Sequence, residues 1–295
     1  TMYIAIYSAF YNTESLEYVR EVIHYLEKNK HQITIVERLK KHLEEPLYKN
    51  HDFFSPNEKI DPKVDFLFSI GGDGTLLRSI TVVRNSEIPI LGINTGRLGF
   101  LTSLQKESLY KGLDLLFKGD YKLIKRSLLE VNTDKNIAAL EEVGFALNEI
   151  TINRKNTTSM LSIDTELDGQ PLTTYWADGL IIATPTGSTG YSLSSGGPIL
   201  TPETCSWVLN PIAPHNINMR PLIVPDTTEI KISVTGRGSH FLLSLDSRII
   251  TLENGNNVFL KKAGFSIFTI QLEGDFFFKT LRERLFWGQD NRNIQ

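Results

Sequence analysis

Val64-Asp65-Phe66-Leu67-Phe68-Ser69-Ile70-Gly71-Gly72-Asp73-Gly74-Thr75-Leu76-Leu77 is the stretch that decides the fold. Its first half is apolar on both faces, as a strand inside a parallel sheet must be, and the run stops abruptly at two glycines. A helix over 75–84 and an apolar strand over 88–93 follow. Strand, helix and strand in that order belong to a layer with helices on both faces of a mostly parallel sheet. Working outward, residues 3–8 read as a first strand, 13–29 as a helix and 33–39 as another strand. The segment 44–63, rich in Asn, Pro and charge, reads as a surface connection. A helix over 106–117, stopped by Gly119, completes a Rossmann-like doubly wound α/β domain over residues 1–125.

Past residue 125 the pattern changes to short alternating segments. Ser162-Ile163-Asp164-Thr165-Glu166-Leu167, with its Asp168-Gly169 turn, predicts antiparallel sheet. Segments 145–152, 230–234, 241–245, 249–252, 258–260 and 266–272 continue it, so 126–272 reads as a mostly antiparallel β domain. The tail, 273–295, returns to helical spacing with Phe277, Leu281 and Leu285 four apart, and is expected to pack back on the first domain as a C-terminal helix burying the aromatics of Phe276-Phe277-Phe278.

Composition removes several function classes. The 295 residues are enough for a self-sufficient core. Thirty-one Lys+Arg against 34 Asp+Glu leave a net charge of −3, which argues against a surface built for nucleic acid. One cysteine, Cys205, cannot form an internal disulfide or a Cys-based metal cluster and fits a reducing, cytoplasmic setting. No apolar run approaches the ~18 residues of a membrane span. Met2-Tyr3-Ile4-Ala5-Ile6-Tyr7 lacks the basic lead-in of a secretory leader.

Three stretches carry chemistry. In Gly71-Gly72-Asp73-Gly74-Thr75, the glycines Gly71, Gly72 and Gly74 and the helix start that includes Thr75 suit a phosphate at the carboxyl edge of the sheet. Asp73 is the misfit, since an acid repels an anion. Either a ligand hydroxyl or metal-bound phosphate uses it, or it caps the helix and the glycine pair is only a tight turn. The second stretch runs from Thr184-Pro185-Thr186-Gly187 to Gly196-Gly197-Pro198. Eleven of its fifteen residues are Gly, Ser or Thr, which suits a polar ligand with ribose and phosphate groups, or an irregular loop of structural use. The third is Asn148-Glu149, a polar pair inside an apolar-flanked strand, where burial costs stability unless something binds it. There is no Gly-x-x-x-x-Gly-Lys-Ser/Thr and no Gly-x-Gly-x-x-Gly run, so neither a P-loop nor the usual dinucleotide fingerprint is present.

These stretches, taken with Gly92-x-Asn94-x-Gly96-x-Leu98-Gly99-Phe100-Leu101 and Asp178-Gly179, resemble the NAD kinase family in order and over almost the whole chain. The resemblance implies phosphorylation of the 2′-hydroxyl of the adenosine ribose of NAD by ATP. Asp73 would be the catalytic base, with Gly74 and Arg78 lining the same pocket. Asn148 and Glu149 would hold the ribose or nicotinamide side and Asp178 the nicotinamide-side groups. Thr189, Gly190, Tyr191, Ser192, Leu193 and Ser194 would wrap adenine and ribose, and Ala213 and Arg248 would be further substrate contacts. It also implies a divalent cation, Mg²⁺, brought with ATP, no ligand to it being assigned from the chain, and a homo-oligomer, dimer or tetramer. Gly190 stands where many bacterial members have Ala, and Arg248 where a Gln is frequent. Trp176 stands two before Asp178, where some carry a basic residue, which bears on NAD against NADH preference. Two other classes remain open: a non-catalytic dinucleotide-binding regulator, and a lipid kinase sharing the Gly-Gly-Asp-Gly-Thr turn. The lipid kinase needs a basic or apolar membrane-facing segment, and Lys40-Lys41 and Lys261-Lys262 are isolated pairs.

Overall fold

The computed structural model describes residues 1–97, 99–155, 159–274 and 277–286, in two units. The first comprises Thr1–Lys125 with the C-terminal residues from Ile267, the second Arg126–Ser266. Along the chain the first unit supplies β1 (Tyr3–Tyr7), α1 (Thr13–Lys28), β2 (Gln32–Val36), α2 (Glu45–Tyr48), β3 (Asp52–Phe54), β4 (Phe66–Ile70), α3 (Asp73–Val83), β5 (Ile90–Ile93), α4 (Leu109–Lys118) and β6 (Tyr121–Arg126). The second supplies β7 (Leu129–Thr133), α5 (Ala138–Glu141), β8 (Phe145–Ala146), β9 (Glu149–Arg154), β10 (Leu161–Leu167), β11 (Gln170–Ala177), β12 (Gly179–Ala183) and α6 (Tyr191–Ser194). It continues with β13 (Ser206–Ile212), β14 (Leu222–Pro225), β15 (Ile230–Gly236), β16 (His240–Leu245), β17 (Arg248–Glu253) and β18 (Asn257–Lys262). Strand β19 (Ile267–Leu272) and helix α7 (Phe277–Leu285) return to the first unit.

The first unit is one seven-stranded sheet in the order β3-β2-β1-β4-β5-β19-β6. Pairing is parallel from β3 through β19. From β1 the chain winds outward to β2 and β3, then crosses back to β4 on the other side. The carboxyl ends of β1 and β4 therefore flank a topological switch point. All five residues of β4 are buried, which is why its sequence shows no alternation. Helix α1 starts at Asn12, whose side chain accepts the N–H of Ser15 at 2.8 Å, and buries Tyr18, Val19, Val22, Ile23 and Leu26 on one stripe. Helix α4 ends at Gly119 in the left-handed region, as its position predicts.

The second unit stacks two six-stranded antiparallel sheets, β11-β10-β15-β18-β7-β8 and β14-β13-β12-β9-β16-β17. Their inner faces share one core. Ile150, Ile152, Leu180, Ile182, Trp207, Leu209, Phe241 and Leu243 come from the second sheet, and Val131, Ile163, Tyr175, Ile232, Val234, Val258 and Leu260 from the first. Fully burying each large side chain is worth roughly 1.5–3 kcal/mol before entropy is charged. The second sheet is covered on its outer side too, where Ile181, Ala183 and Val208 pack on Leu200 and so pin the far end of the Gly/Ser/Thr-rich loop.

Five expectations meet a different outcome. The surface connection at 44–63 contains β3, a short edge strand paired with β2. The strand expected over 33–39 ends at Val36 and passes into a 3₁₀ turn, Glu37–Lys41. The single strand expected over 145–152 is broken at Leu147-Asn148: β8 belongs to one sheet and β9 to the other. The segment 266–272, expected in the β domain, lies in the parallel sheet as β19, buried at Ile267, Thr269, Ile270 and Leu272, so the return begins before residue 273. Helix α7 is present and buries Leu281, but not the aromatics expected of it: Phe277 is half-buried and Phe278 exposed, while Phe276 and Trp287 lie outside the described residues. No helix among the described residues is long and apolar enough to cross a membrane.

Candidate active site

Two arrangements, one in each unit, hold the predicted residues. In the first, β4 delivers Gly71 and Gly72 to the edge of the sheet and α3 begins at Asp73. The Asp73 side chain makes no capping bond to its own helix. It reaches instead to the loop after β5, where Oδ2 accepts the N–H of Phe100 at 2.7 Å. Its Oδ1 accepts the N–H of Leu101 at 3.1 Å and the hydroxyl of Thr102 at 3.3 Å. The capping alternative is thereby removed, and a carboxylate with about four acceptor directions keeps one open. A Cβ on Gly99 would collide with this carboxylate, which explains the glycine there. Asn94, buried, shapes the same loop by donating to Arg97 O at 2.7 Å and accepting from Gly96 N at 2.9 Å.

The glycine turn itself divides its donors. The N–H of Gly71 is spent on Ile93 O at 2.9 Å and that of Thr75 on Gly72 O at 2.9 Å, and Thr75 is fully buried. Gly72 and Gly74 between them are exposed, and a Cβ at either would meet nothing within 4 Å. The chain's own packing gives no reason for glycine at these two places; close approach of a ligand does. Arg78 stands four residues after Gly74 on the same helix face, exposed, with its guanidinium 5.4 Å from the ring centre of Phe10. Phe10, 54% exposed, follows β1 at the other side of the switch point and was not singled out from sequence.

In the second unit the loop after β12 folds largely on its own hydroxyls. Thr184 Oγ1 donates to Leu147 O at 2.5 Å and accepts from Gly187 N at 3.1 Å. Ser188 Oγ joins Pro185 O at 2.7 Å and Leu200 N at 2.9 Å. Ser192, also buried, is held through Asn210 Nδ2, which donates to its carbonyl at 2.9 Å and to its Oγ at 3.2 Å. The hydroxyls expected to face a ligand are thus partly structural. Tyr191 and Ser194 are exposed, whereas Thr189, Gly190 and Leu193 are half-buried. A side chain at Gly187 would overlap the backbone of Asn148, so the loop and the polar pair are in direct contact.

Asn148 and Glu149 lie at the crossing from one sheet to the other, with Asn148 Oδ1 and Glu149 Oε2 buried and without a hydrogen-bond partner. Burial, reinforced by the charge of Asp246, pushes the Glu149 carboxyl up to about 8, against a smaller pull from the N–H of Tyr191. Gly190 borders both side chains; a Cβ there would sit 3.2 Å from Asn148 Nδ2 and from Glu149 Oε2, so a side chain would require its neighbours to give by a few tenths of an ångström. Asp178 pairs with Arg154 at 2.9 Å. Arg154 also lines a cavity of about 560 Å³ with Trp176, His215 and Arg237. Ala213, exposed after β13, has φ of 46°, a strained value for a residue with a Cβ. Arg248 donates from Nη1 to Val143 O and from Nη2 to Phe145 O, and lies 5.6 Å from the Phe145 ring centre.

Family models for the N-terminal and C-terminal domains of ATP-NAD kinase match residues 4–121 and 147–267. The chain belongs to the NAD kinase family. It is 48% identical to an NAD kinase of Christiangramia forsetii and 47% identical to one of Flavobacterium psychrophilum, in each case over 99% of this chain and 100% of the relative. Among solved structures, yeast NADH kinase complexed with NADH matches with a TM-score of 0.85 at 26% identity, covering 100% of this chain and 90% of that one. An NAD kinase from Archaeoglobus fulgidus in complex with ATP shares the fold, with a TM-score of 0.75 at 24% identity, over 95% of this chain and 99% of that one. Family membership carries with it ATP-dependent phosphorylation of NAD to NADP. Of the residues that hold these two arrangements together, Asn94, Thr102 and Asp246 have no role that the sequence alone assigns. Asn94 lay inside the quoted glycine-rich run, and the other two carry no local signal.

Proposed function

We propose that Asp73 receives the proton of the adenosine-ribose 2′-hydroxyl while that oxygen attacks the terminal phosphorus of ATP. The bond from that phosphorus to the bridging oxygen breaks, and ADP leaves with the electron pair. The observation that carries this reading is the Asp73 carboxylate, held off its own helix by Phe100, Leu101 and Thr102 beside two glycines with open space over them. Phosphoryl transfer through a loose transition state asks more of positioning than of basicity, and a carboxylate tied at three points is a positioned acceptor. The triphosphate approaches along the Gly71, Gly72, Gly74 and Thr75 turn, with Mg²⁺ entering on the phosphates as part of the substrate. Arg78, beside Gly74, supplies positive charge to the same pocket.

Asn148 and Glu149 bind the dinucleotide through their unpartnered buried oxygens, with Gly190, Tyr191 and Ser194 at the rim, Thr189, Ser192 and Leu193 behind them, and Asp178 and Ala213 toward the nicotinamide side. The family resemblance supports a cytoplasmic homo-oligomer, a dimer or tetramer, read by light scattering on the eluted protein.

Asp73→Asn tests the catalytic reading. It is expected to keep NAD affinity by calorimetry while turnover falls on the order of 10²–10⁴. Because the new amide would face the N–H of Phe100, a modest loss of thermal stability is expected as well. Full turnover in a folded Asp73→Asn protein would remove Asp73 from the mechanism.

A further inference from the structure

We propose that the hairpin turn carrying Asp246 and Arg248 is the device that sets the Asn148–Glu149 pair for its ligand, with both side chains acting as positioning residues for dinucleotide binding. The proposal rests on the reading of that pair as part of the dinucleotide site.

Four observations carry it. First, Asp246 takes three consecutive amides: Oδ2 accepts the N–H of Leu147 at 3.0 Å, and Oδ1 accepts those of Asn148 at 2.8 Å and Glu149 at 3.2 Å. The N–H of Asp246 in turn donates to Glu149 O at 3.0 Å. Second, Arg248, two residues on, fastens the carbonyls of Val143 and Phe145, so one turn grips the incoming chain by its acceptors and the crossing point by its donors. The two side chains lie 4.0 Å apart. Third, the gripped segment is the place where the chain leaves one sheet and enters the other between β8 and β9, so neither ladder alone dictates its conformation. Fourth, Asp246 adopts φ of 53° at the first position of a two-residue turn closed by Leu245 and Arg248, a place that hairpin geometry gives to glycine. Aspartate is among the few residues with a side chain that this φ admits, and here the side chain is only 2% exposed because it turns inward onto the three amides.

Burial pushes the Asp246 carboxyl up while the three amides and Arg248 pull it back, and the same three bonds make it rigid; the segment it holds presents the two orphaned oxygens of Asn148 and Glu149. Loss of the grip leaves those side chains in place chemically but lets their backbone drift, which weakens binding of the dinucleotide and spares ATP.

The test is a mutant cycle on the full chain. Asn tolerates a left-handed φ, so Asp246→Asn keeps the turn while setting an NH2 group, which cannot accept, against at least one of the three amides and loosening the grip. Asn148→Ala reports whether the pair binds NAD at all. The expected result is that each single change raises KM for NAD on the order of ten-fold, while KM for ATP stays within about two-fold and the double mutant is no worse than either single. Should Asp246→Asn not fold, Arg248→Met, which keeps the stem over Phe145 and drops both donors, enters the same cycle. A folded Asp246→Asn with unchanged KM for NAD overturns the proposal, as do effects of Asp246→Asn and Asn148→Ala that multiply. An unchanged KM in Asn148→Ala overturns the reading of the pair itself, and the proposal with it.

Discussion

Glu149 carries a pH signature that follows from where it sits. Its ordinary value of 4.5 is raised to about 8 in the folded chain by burial, with Asp246 adding to the effect. Between those values the folded protein holds a proton that the unfolded chain has released, so stability is complete below pH ~4.5, declines as pH rises and levels off above pH ~8. Relative to Glu149→Gln, which does not titrate, the chain is expected to lose a few kcal/mol over that window, followed by urea unfolding at successive pH values. A difference that stays flat with pH would mean Glu149 is ionised throughout. The Asn148-Glu149 pair was legible in the sequence because two polar residues interrupted an apolar run. Asp246 was not, since it lies 98 residues beyond Asn148 and acts on backbone amides, which leave no complementary residue to notice.

At the scale of elements, the loop after β5 and the start of α3 form a single working part, joined through Asp73. Gly99→Ala would drive a methyl group into that carboxylate. The expected outcome is a fall in kcat of at least about ten-fold with a smaller change in the melting temperature, because the collision displaces a loop rather than the sheet. Wild-type turnover in Gly99→Ala would show that the loop yields without moving Asp73. The β4–α3 junction could be read directly, since an apolar run ending at Gly71-Gly72 has few other interpretations. Elements that take their shape from distant partners could not. The three residues of β3 pair along one edge of β2, and β19 shows alternating residues that suit either kind of sheet. The break between β8 and β9 sits inside a run, Phe145-Ala146-Leu147-Asn148-Glu149-Ile150, that local pattern reads as continuous. The polar loop was recognised by composition, but which hydroxyls it spends on itself depended on Leu147, Leu200 and Asn210, all outside it.

For the whole molecule, the decisive fact is that the first unit is discontinuous in sequence. Strand β19 pairs with β5 and separates it from β6, so the parallel sheet needs residues from both ends of the chain, whereas both sheets of the second unit lie within it. Residues 126–266 expressed alone are expected to unfold cooperatively in urea with an intact near-ultraviolet signal from buried Trp207, and residues 1–125 alone are not. Cooperative unfolding of the 1–125 fragment would show that β5 and β6 tolerate the loss of their neighbour. The same insertion sets an order of events at the ribosome. The residues that carry Asp73 emerge first, yet their sheet stays unfinished until the β-rich remainder has been translated, about ten to thirty seconds at ~5–20 residues per second. During that interval the edge of β5 lacks the neighbour it has in the finished sheet, an unpaired edge of the kind to which a passing strand can add.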